Sequence, residues 1–139
     1  MFKLNSYILV TSINLAIIIM IVISITASSI MLTLDSIMIE KLIEIAHYRF
    51  EEIILYGASE APIEIEFKIN DLINHPLEIR VNNSIITLTL VKGFTRKTVE
   101  IQLPSNIRFN YIGIIPPKCI LNFTRNGNSI LIEVIKNES

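Results

Sequence analysis

The sequence contains very little cysteine, glycine or histidine. A single cysteine, Cys119, excludes an intrachain disulfide, and four glycines leave no glycine-rich phosphate loop. Two histidines and one cysteine provide no set of metal ligands at a recognisable spacing. We therefore expect no enzyme activity, no metal site and no cofactor in this chain of 139 residues.

An excess of positive charge is also absent. The chain has 12 Lys and Arg residues against 13 Asp and Glu residues, which gives a net charge of −1. Nucleic-acid-binding domains normally carry a basic excess, so nucleic acid is not an expected partner. Hydrophobic residues make up 51% of the chain and charged residues 18%, a composition more typical of a membrane-attached protein than of a soluble domain.

Charge is missing altogether between Lys3 and Asp35. This run covers residues 4–34, whereas the apolar region of a cleaved secretory signal has about 7–15 residues. At about 1.5 Å per residue, a helix over the run extends roughly 45 Å, against a hydrocarbon core of about 30 Å. The run predicts a transmembrane helix whose excess length is taken up by tilt or is buried in other protein.

A helical pattern continues beyond Asp35. Apolar residues recur at helical spacing on one face, and polar residues mark the opposite face. The apolar face comprises Ile39, Leu42, Ile43, Ala46, Phe50, Ile53 and Ile54, and the polar face comprises Glu40, Glu44, His47 and Glu51. Gly57 favours termination there. We predict one helix over 1–57, whose amphipathic half packs on the following domain or on neighbouring copies.

The flanks of the apolar run predict its orientation in a membrane. Lys3 lies on the short N-terminal side, whereas Asp35 and Glu40 precede Lys41 on the far side. The positive-inside rule then places the N-terminus in the cytoplasm and the rest of the chain outside. The predicted location is the cell membrane with the C-terminal domain outside, or an extracellular filament.

From Ile63 onward the apolar pattern changes to a period of two, which is typical of half-buried strands. Seven short segments alternate in this way, and Asn82-Asn83, Lys92-Gly93 and Asn126-Gly127 lie at turns between them. The sequence predicts an α+β protein with an antiparallel β-sandwich of about seven strands over 62–136, with a single curved sheet as the alternative.

The N-terminal features resemble those of archaeal type IV pilin-like proteins, including archaellin relatives and their membrane-anchored accessory subunits. They are the Met1-Phe2-Lys3 lead, the uncharged run from Leu4, and the IIIMIVISI core at 17–25. The resemblance implies a helix that first sits in the membrane and, after processing, packs in a filament core with the β-domains outside.

Two departures from the family pattern favour a minor or accessory subunit over a major one. The family's peptidase prefers Gly or Ala just before the cut, whereas here Lys3 would precede it. The charged stretch 35–52 is also polar for a fully buried filament core. A permanently membrane-anchored accessory protein, whose outward domain binds the cell wall, an S-layer or filament machinery, therefore remains the alternative.

Candidate assembly residues lie along the predicted helix. Asn14 can hydrogen-bond between helices, although it also lies near the headgroup end, where polar groups cost little. Ser24 and Ser28 form a small-xxx-small pair of the kind that lets helices approach closely, and also of a kind that arises by chance. If copies bundle, the predicted seam is Ile39, Leu42, Ile43, Ala46, Phe50 and Ile53.

Three Asn-x-Ser/Thr sequons begin at Asn82, Asn122 and Asn137, which makes N-glycosylation of an outward domain one interpretation and chance in an Asn-rich sequence the other. His47 near Glu44 and Glu51 reads as a solvated face rather than a metal site. Cys119 reads as a small buried hydrophobe. The expected partners are copies of the chain, the membrane, and cell-wall or S-layer proteins.

Overall fold

The protein begins with one long helix and continues into a strand-rich domain, in a computed structural model that describes residues 2–136. Within these residues there are one α-helix, one 3₁₀ turn and eight strands. In chain order they are α1 (Phe2–Ser59), β1 (Ile63–Lys68), the 3₁₀ turn (Ile69–Asp71), β2 (Leu77–Asn82), β3 (Ile85–Lys92), β4 (Thr95–Gln102), β5 (Ile107–Phe109), β6 (Ile112–Ile114), β7 (Lys118–Asn126) and β8 (Ser129–Lys136). The predicted α+β class is confirmed.

The chain divides into two compact units between Ser36 and Ile37, a boundary that falls inside α1. In the first unit, Thr11, Thr26 and Thr33 each donate a side-chain hydrogen bond to the carbonyl oxygen four residues earlier, at 2.8–2.9 Å. These bonds satisfy the hydroxyl hydrogens within the helix itself.

The strands of the second unit form two sheets in a β-sandwich-like arrangement. The first has the order β1-β7-β8-β5, and the second has the order β4-β3-β2-β6. The hairpin turns lie where the sequence predicts them: Asn83, Gly93 and Gly127 adopt positive φ values of 55°, 61° and 65°. Such values suit Asn and Gly, which tolerate the left-handed region.

Two details of the sheets differ from the predicted seven antiparallel strands. The described chain contains an additional strand, β6, which pairs with β2 over only three residues. Strand β5 pairs with β8 in parallel, with Ile107 opposite Ile130. Both differences arise where the chain crosses between the sheets, because it leaves the first sheet after β5 and joins the second sheet at β6. A single apolar stretch therefore supplies two short strands, one to each sheet.

One buried cluster joins the second half of α1 to residues from both sheets. Phe50 packs edge-on against Phe67 of β1, with ring centroids 5.4 Å apart. Burying an aliphatic or aromatic side chain of this size stabilises the fold by about 2 kcal/mol. The helix face that enters this cluster is made of Ile39, Ile43, Ala46, Phe50 and Ile54, with Leu42 and Ile53 partly buried beside it.

This packing corrects the predicted seam between copies. Ala46 and Phe50 have 0% of their surface exposed within a single chain, and Ile39 and Ile43 have 2% or less. Side chains that the chain's own sheets already cover are not accessible to a second copy. Of the two sequence alternatives, the amphipathic half of the helix therefore packs on the following domain.

Two arginines connect α1 to the rest of the second unit. The Arg49 guanidinium donates to the Leu72 carbonyl oxygen at 2.8 Å, just after the 3₁₀ turn. Arg125 of β7 donates to the carbonyl oxygens of Ala58 and Ser59 at 3.5 Å. Carbonyls in the last turn of a helix have no partner within the helix. The last turn of α1 contains no basic residue of its own. The Arg125 guanidinium therefore supplies the hydrogen bonds to these carbonyl oxygens from β7.

Gly57 lies inside α1 and is buried, so the prediction that it terminates the helix is wrong. The helix instead continues to Ser59. A Cβ atom built on Gly57 would lie within 3.0 Å of carbon atoms in the Phe123 ring. Glycine is therefore required here by close packing between the helix and β7.

Replacing Gly57 with Ala tests whether close packing against Phe123 is the reason for glycine at this position. Helix propensity alone would stabilise the variant by about 1 kcal/mol, whereas overpacking against Phe123 costs about 1–3 kcal/mol. We expect Gly57→Ala to lower the free energy of unfolding, measured by denaturant titration of the full chain in detergent micelles. The exposed Glu52→Ala is the control and should change it little; a stabilised Gly57→Ala would contradict the close-packing account.

Candidate functional site

The first candidate site is the surface of α1 in the first unit. Every side chain from Asn5 to Leu34 is exposed, including the large aliphatic ones. A helix that is apolar all round requires a protein core or a lipid bilayer around it. By length and composition, the helix over Asn5–Ser59 is able to cross a membrane. It is a candidate membrane anchor.

Asn14, Ser24 and Ser28 all lie on this exposed surface. Ser24 and Ser28 are four residues apart and therefore share one face of the helix. Among residues 2–136, no side-chain hydrogen bond or ion pair joins any of these three residues to a partner group. Their role in helix assembly stays a prediction.

In the second unit, the face of α1 that points away from the core carries an apolar stripe. We call it the outer stripe, and it consists of Ile45, Tyr48, Leu55 and Tyr56, all exposed. Tyr48 is the most exposed of the four, at 70%. The sequence pattern did not reveal the outer stripe, because the neighbouring charged residues gave this face a purely polar pattern. The signal was nevertheless present, since 45, 48 and 55 are spaced by three and seven.

The charged groups along the outer stripe do not form a metal site. His47 Nε2 lies 3.4 Å from Glu51 Oε2, one helical turn away, and both side chains are substantially exposed. Within residues 2–136 there is no group of three or more His, Cys, Asp and Glu side chains able to hold a metal ion. The pair is a surface contact of a kind that contributes little to stability.

The three sequons differ in accessibility. Asn82 is exposed at the end of β2, beside the turn at Asn83. Asn122 is half-buried in the middle of β7, where its cross-strand neighbours are Glu64 and Glu133. Asn137 lies outside the described residues. The geometry therefore favours Asn82 as the acceptor if the domain is glycosylated.

A polar groove of about 610 Å³ lies next to the Asn83 turn. Its lining residues are Asn83, Ser84, Gln102, Leu103, Ser105, Ile107, Arg108, Phe109, Asn110 and Leu131. These side chains offer amide, hydroxyl and guanidinium groups for hydrogen bonding. None of them is an Asp, Glu, His, Cys or Lys, so this lining supplies no general base and no activated nucleophile.

A second groove, of about 500 Å³, contains His75 together with Glu78 and Arg96. The Nδ1 atom of His75 is buried without a hydrogen-bond partner. The lining also contains Thr89, whose hydroxyl lies 3.4 Å from the hydroxyl of Thr98. Among the described residues no hydrogen bond joins Thr89 to His75, so these two side chains do not form a nucleophile held by a base. The expectation that the chain is not an enzyme stays a prediction.

Cys119 is fully buried on the inner face of β7. Burial raises the pKa of its thiol from the ordinary value of 9.0 to about 11, because the charged thiolate is poorly solvated there. A reactive cysteine needs a lowered pKa and access to solvent. The interpretation of Cys119 as a small hydrophobic core residue is confirmed.

A membrane-anchor candidate helix joined to a β-sandwich-like domain is thus the class of protein that the fold and its surfaces define. Comparison of the chain with protein-family models, with curated proteins and with solved structures finds no match to any of them.

The buried thiol predicts a specific loss of stability at high pH. A group whose pKa is raised on folding stabilises the fold fully below the unfolded-state pKa, and that contribution is lost as the pH rises. For Cys119 the loss runs from about pH 9 to about pH 11 and amounts to at most about 3 kcal/mol.

The measurement is the free energy of unfolding of the wild type and of Cys119→Ala across this pH range. The Ala variant starts less stable but should lose less stability as the pH rises, because it has no thiol to ionise in the unfolded state. Parallel curves for the two proteins would show that ionisation of Cys119 does not contribute.

Proposed function

We propose that the chain is a pilin-like structural subunit of a cell-surface filament. Its N-terminal helix anchors it in the membrane before assembly and packs with helices of other copies afterwards, leaving the β-domain outside. The observation that carries this proposal is the uncovered apolar surface of α1 over 5–34. The resemblance of the N-terminal stretch to pilin-like proteins is the reason for choosing this class of assembly.

The length of the apolar run supports an assembly role in addition to anchoring. About 20 helical residues cross the hydrocarbon core of a bilayer, whereas the uncharged run spans 31 residues, from 4 to 34. Roughly ten residues therefore need another apolar cover or a strong tilt. Identical helices from other copies supply a cover of matching chemistry, and head-to-tail contacts between copies extend into filaments when they do not close.

The outer stripe extends this assembly surface beyond Asp35. Ile45, Tyr48 and Leu55 lie on the helix face opposite the domain core and are exposed in a single chain. We propose that they replace the buried set around Ala46 and Phe50 as the contact surface between copies. A helix that packs on its own domain through one face is able to use the opposite face for partners.

A second candidate function is a permanently membrane-anchored accessory protein. The observation that favours it is the charge around the outer stripe, where Lys41, Glu44 and Glu52 are all exposed. Charged groups are depleted in the cores of protein interfaces, since their desolvation is costly. In this alternative the outward domain, with Asn82 exposed, contacts cell-wall or S-layer proteins and α1 never leaves the bilayer.

Shearing of cells followed by fractionation tests the proposal. Recovery of the chain in high-molecular-weight filaments released by shearing is the expected result. Recovery only in the detergent-extracted membrane fraction would contradict it and favour the accessory protein. Intact mass of both fractions reports whether the N-terminus is processed and whether sugars are attached.

A pair of glutamate substitutions on opposite faces of α1 tests the contact surface. Tyr48→Glu puts a carboxylate on the outer stripe, and its burial between copies costs several kcal/mol. We therefore expect the yield of sheared filaments to fall at least about tenfold, while the β-domain stays folded. Filament yield and protease resistance of the domain are the two measurements.

The companion variant Ala46→Glu places the same charge at a position with 0% exposure in the single chain. We expect it to unfold the β-domain and to be lost before assembly. Ile112→Glu, at an exposed apolar position on β6, is the control and should leave both properties unchanged. A folded Ala46→Glu variant, or normal filaments from Tyr48→Glu, would contradict the assignment of the two helix faces.

A further inference from the structure

The tip of the β3–β4 hairpin carries a fully exposed aromatic side chain. Phe94 has 100% of its surface exposed, and Val91 beside it is also exposed. Gly93, with a φ of 61°, makes the tight turn that projects Phe94 from the end of the sheet. An aromatic ring held fully in water gains nothing from folding, and Phe94 and Val91 together place adjacent apolar surface at the projecting tip.

Positively charged residues surround this tip. Arg96 and Lys97 are adjacent and exposed, and the sequence has no acidic residue from 91 to 99. We call these two cations the basic collar. Across the hairpin Val91 faces Arg96, so the apolar and basic groups share one end of the sheet. The nearby Glu78 contacts Arg80, 3.5 Å away.

The hairpin lies beside the part of α1 that follows the apolar run. Lys92 Nζ donates a hydrogen bond to the sulfur of Met38. Met38 comes four residues after Leu34, the last residue of the uncharged run, which is about 6 Å along a helix. The hairpin therefore contacts α1 about one turn beyond the end of the uncharged run.

We propose that the β3–β4 tip is a second membrane contact, in which Phe94 enters the interface of the bilayer and the basic collar meets anionic lipid headgroups. Aromatic rings favour the headgroup level of a membrane. Basic side chains near an anionic surface are each attracted by about 1 kcal/mol. The tip stops at the interface, because backbone polar groups of a hairpin have no partners in hydrocarbon.

The proposal rests on α1 being a membrane anchor, and it is independent of whether filaments form. A second copy of the chain is the competing cover for Phe94, since Glu51 and Glu52 beside Tyr56 would complement the basic collar. The bilayer is favoured because the hairpin contacts α1 at Met38, next to the end of the apolar run, whereas that acidic surface lies more than ten residues further along the helix.

A single tryptophan tests the proposal, because the chain contains none. Phe94→Trp in the full chain is reconstituted into vesicles of phosphatidylcholine and phosphatidylglycerol, with and without bromine on the acyl chains. We expect blue-shifted emission that brominated lipid quenches strongly and aqueous acrylamide quenches weakly. Circular dichroism establishes that the variant is folded.

The matched control is Ile112→Trp. Ile112 is also an exposed apolar residue of the same sheet, but it lies opposite Asn82, at the other end of β3 from the tip. Eight strand residues separate the two ends, which is roughly 25 Å. This tryptophan should emit as in water and be quenched by acrylamide but not by brominated lipid.

Neutralising the basic collar tests whether its positive charge contributes to membrane contact at the tip. Arg96→Gln and Lys97→Gln in the Phe94→Trp background should each reduce the ratio of inserted to withdrawn tip by about fivefold in anionic vesicles. The effect should vanish in vesicles of phosphatidylcholine alone.

Equal lipid quenching of the two tryptophans would overturn the proposal. So would a Phe94→Trp emission that is protected from acrylamide yet insensitive to brominated lipid, since that result would assign the tip to a protein partner. Absence of filaments in the shearing experiment leaves the vesicle measurement unaffected, so the two proposals fail separately.

Discussion

The packing of one face of α1 into the β-sandwich-like domain is the interaction on which the rest of the molecule depends. Ala46 and Phe50 are completely buried in the core, and Gly57 lets the helix approach Phe123 closely. Because an α-helix has faces in fixed angular relation, burying this one decides which residues remain outside. It also makes the second half of the helix a structural part of the domain.

Exposed apolar surface is present along both halves of α1 and is unfavourable in water. Over 5–34 the helix exposes aliphatic side chains on every side, and beyond Asp35 an apolar stripe remains on the outer face. As a candidate membrane anchor, the helix needs about 20 residues to cross a bilayer, and other copies of the chain are the proposed cover for the remainder. Phe94 is likewise an exposed apolar side chain, and its proposed cover is the bilayer interface.

Much of the fold follows from local patterns. Alternation of apolar and polar residues identified the strands, and Asn83, Gly93 and Gly127 marked their turns, because these residues accept positive φ at little cost. Strand β6 escaped detection because three residues containing Gly113 carry almost no periodic signal. The parallel pairing of β5 with β8 is not encoded locally at all, since it depends on where the chain changes sheets.

The sequence by itself determined that α1 is long, first apolar and then amphipathic, since composition and helical period are properties of neighbouring residues. Only the tertiary structure decided that Ile39, Ile43, Ala46 and Phe50 lie inside one chain, because an apolar stripe is equally suited to a domain core and to a second copy. The same holds for Phe94: its surroundings depend on a hairpin that lies beside Met38, a contact between residues 54 positions apart in the sequence.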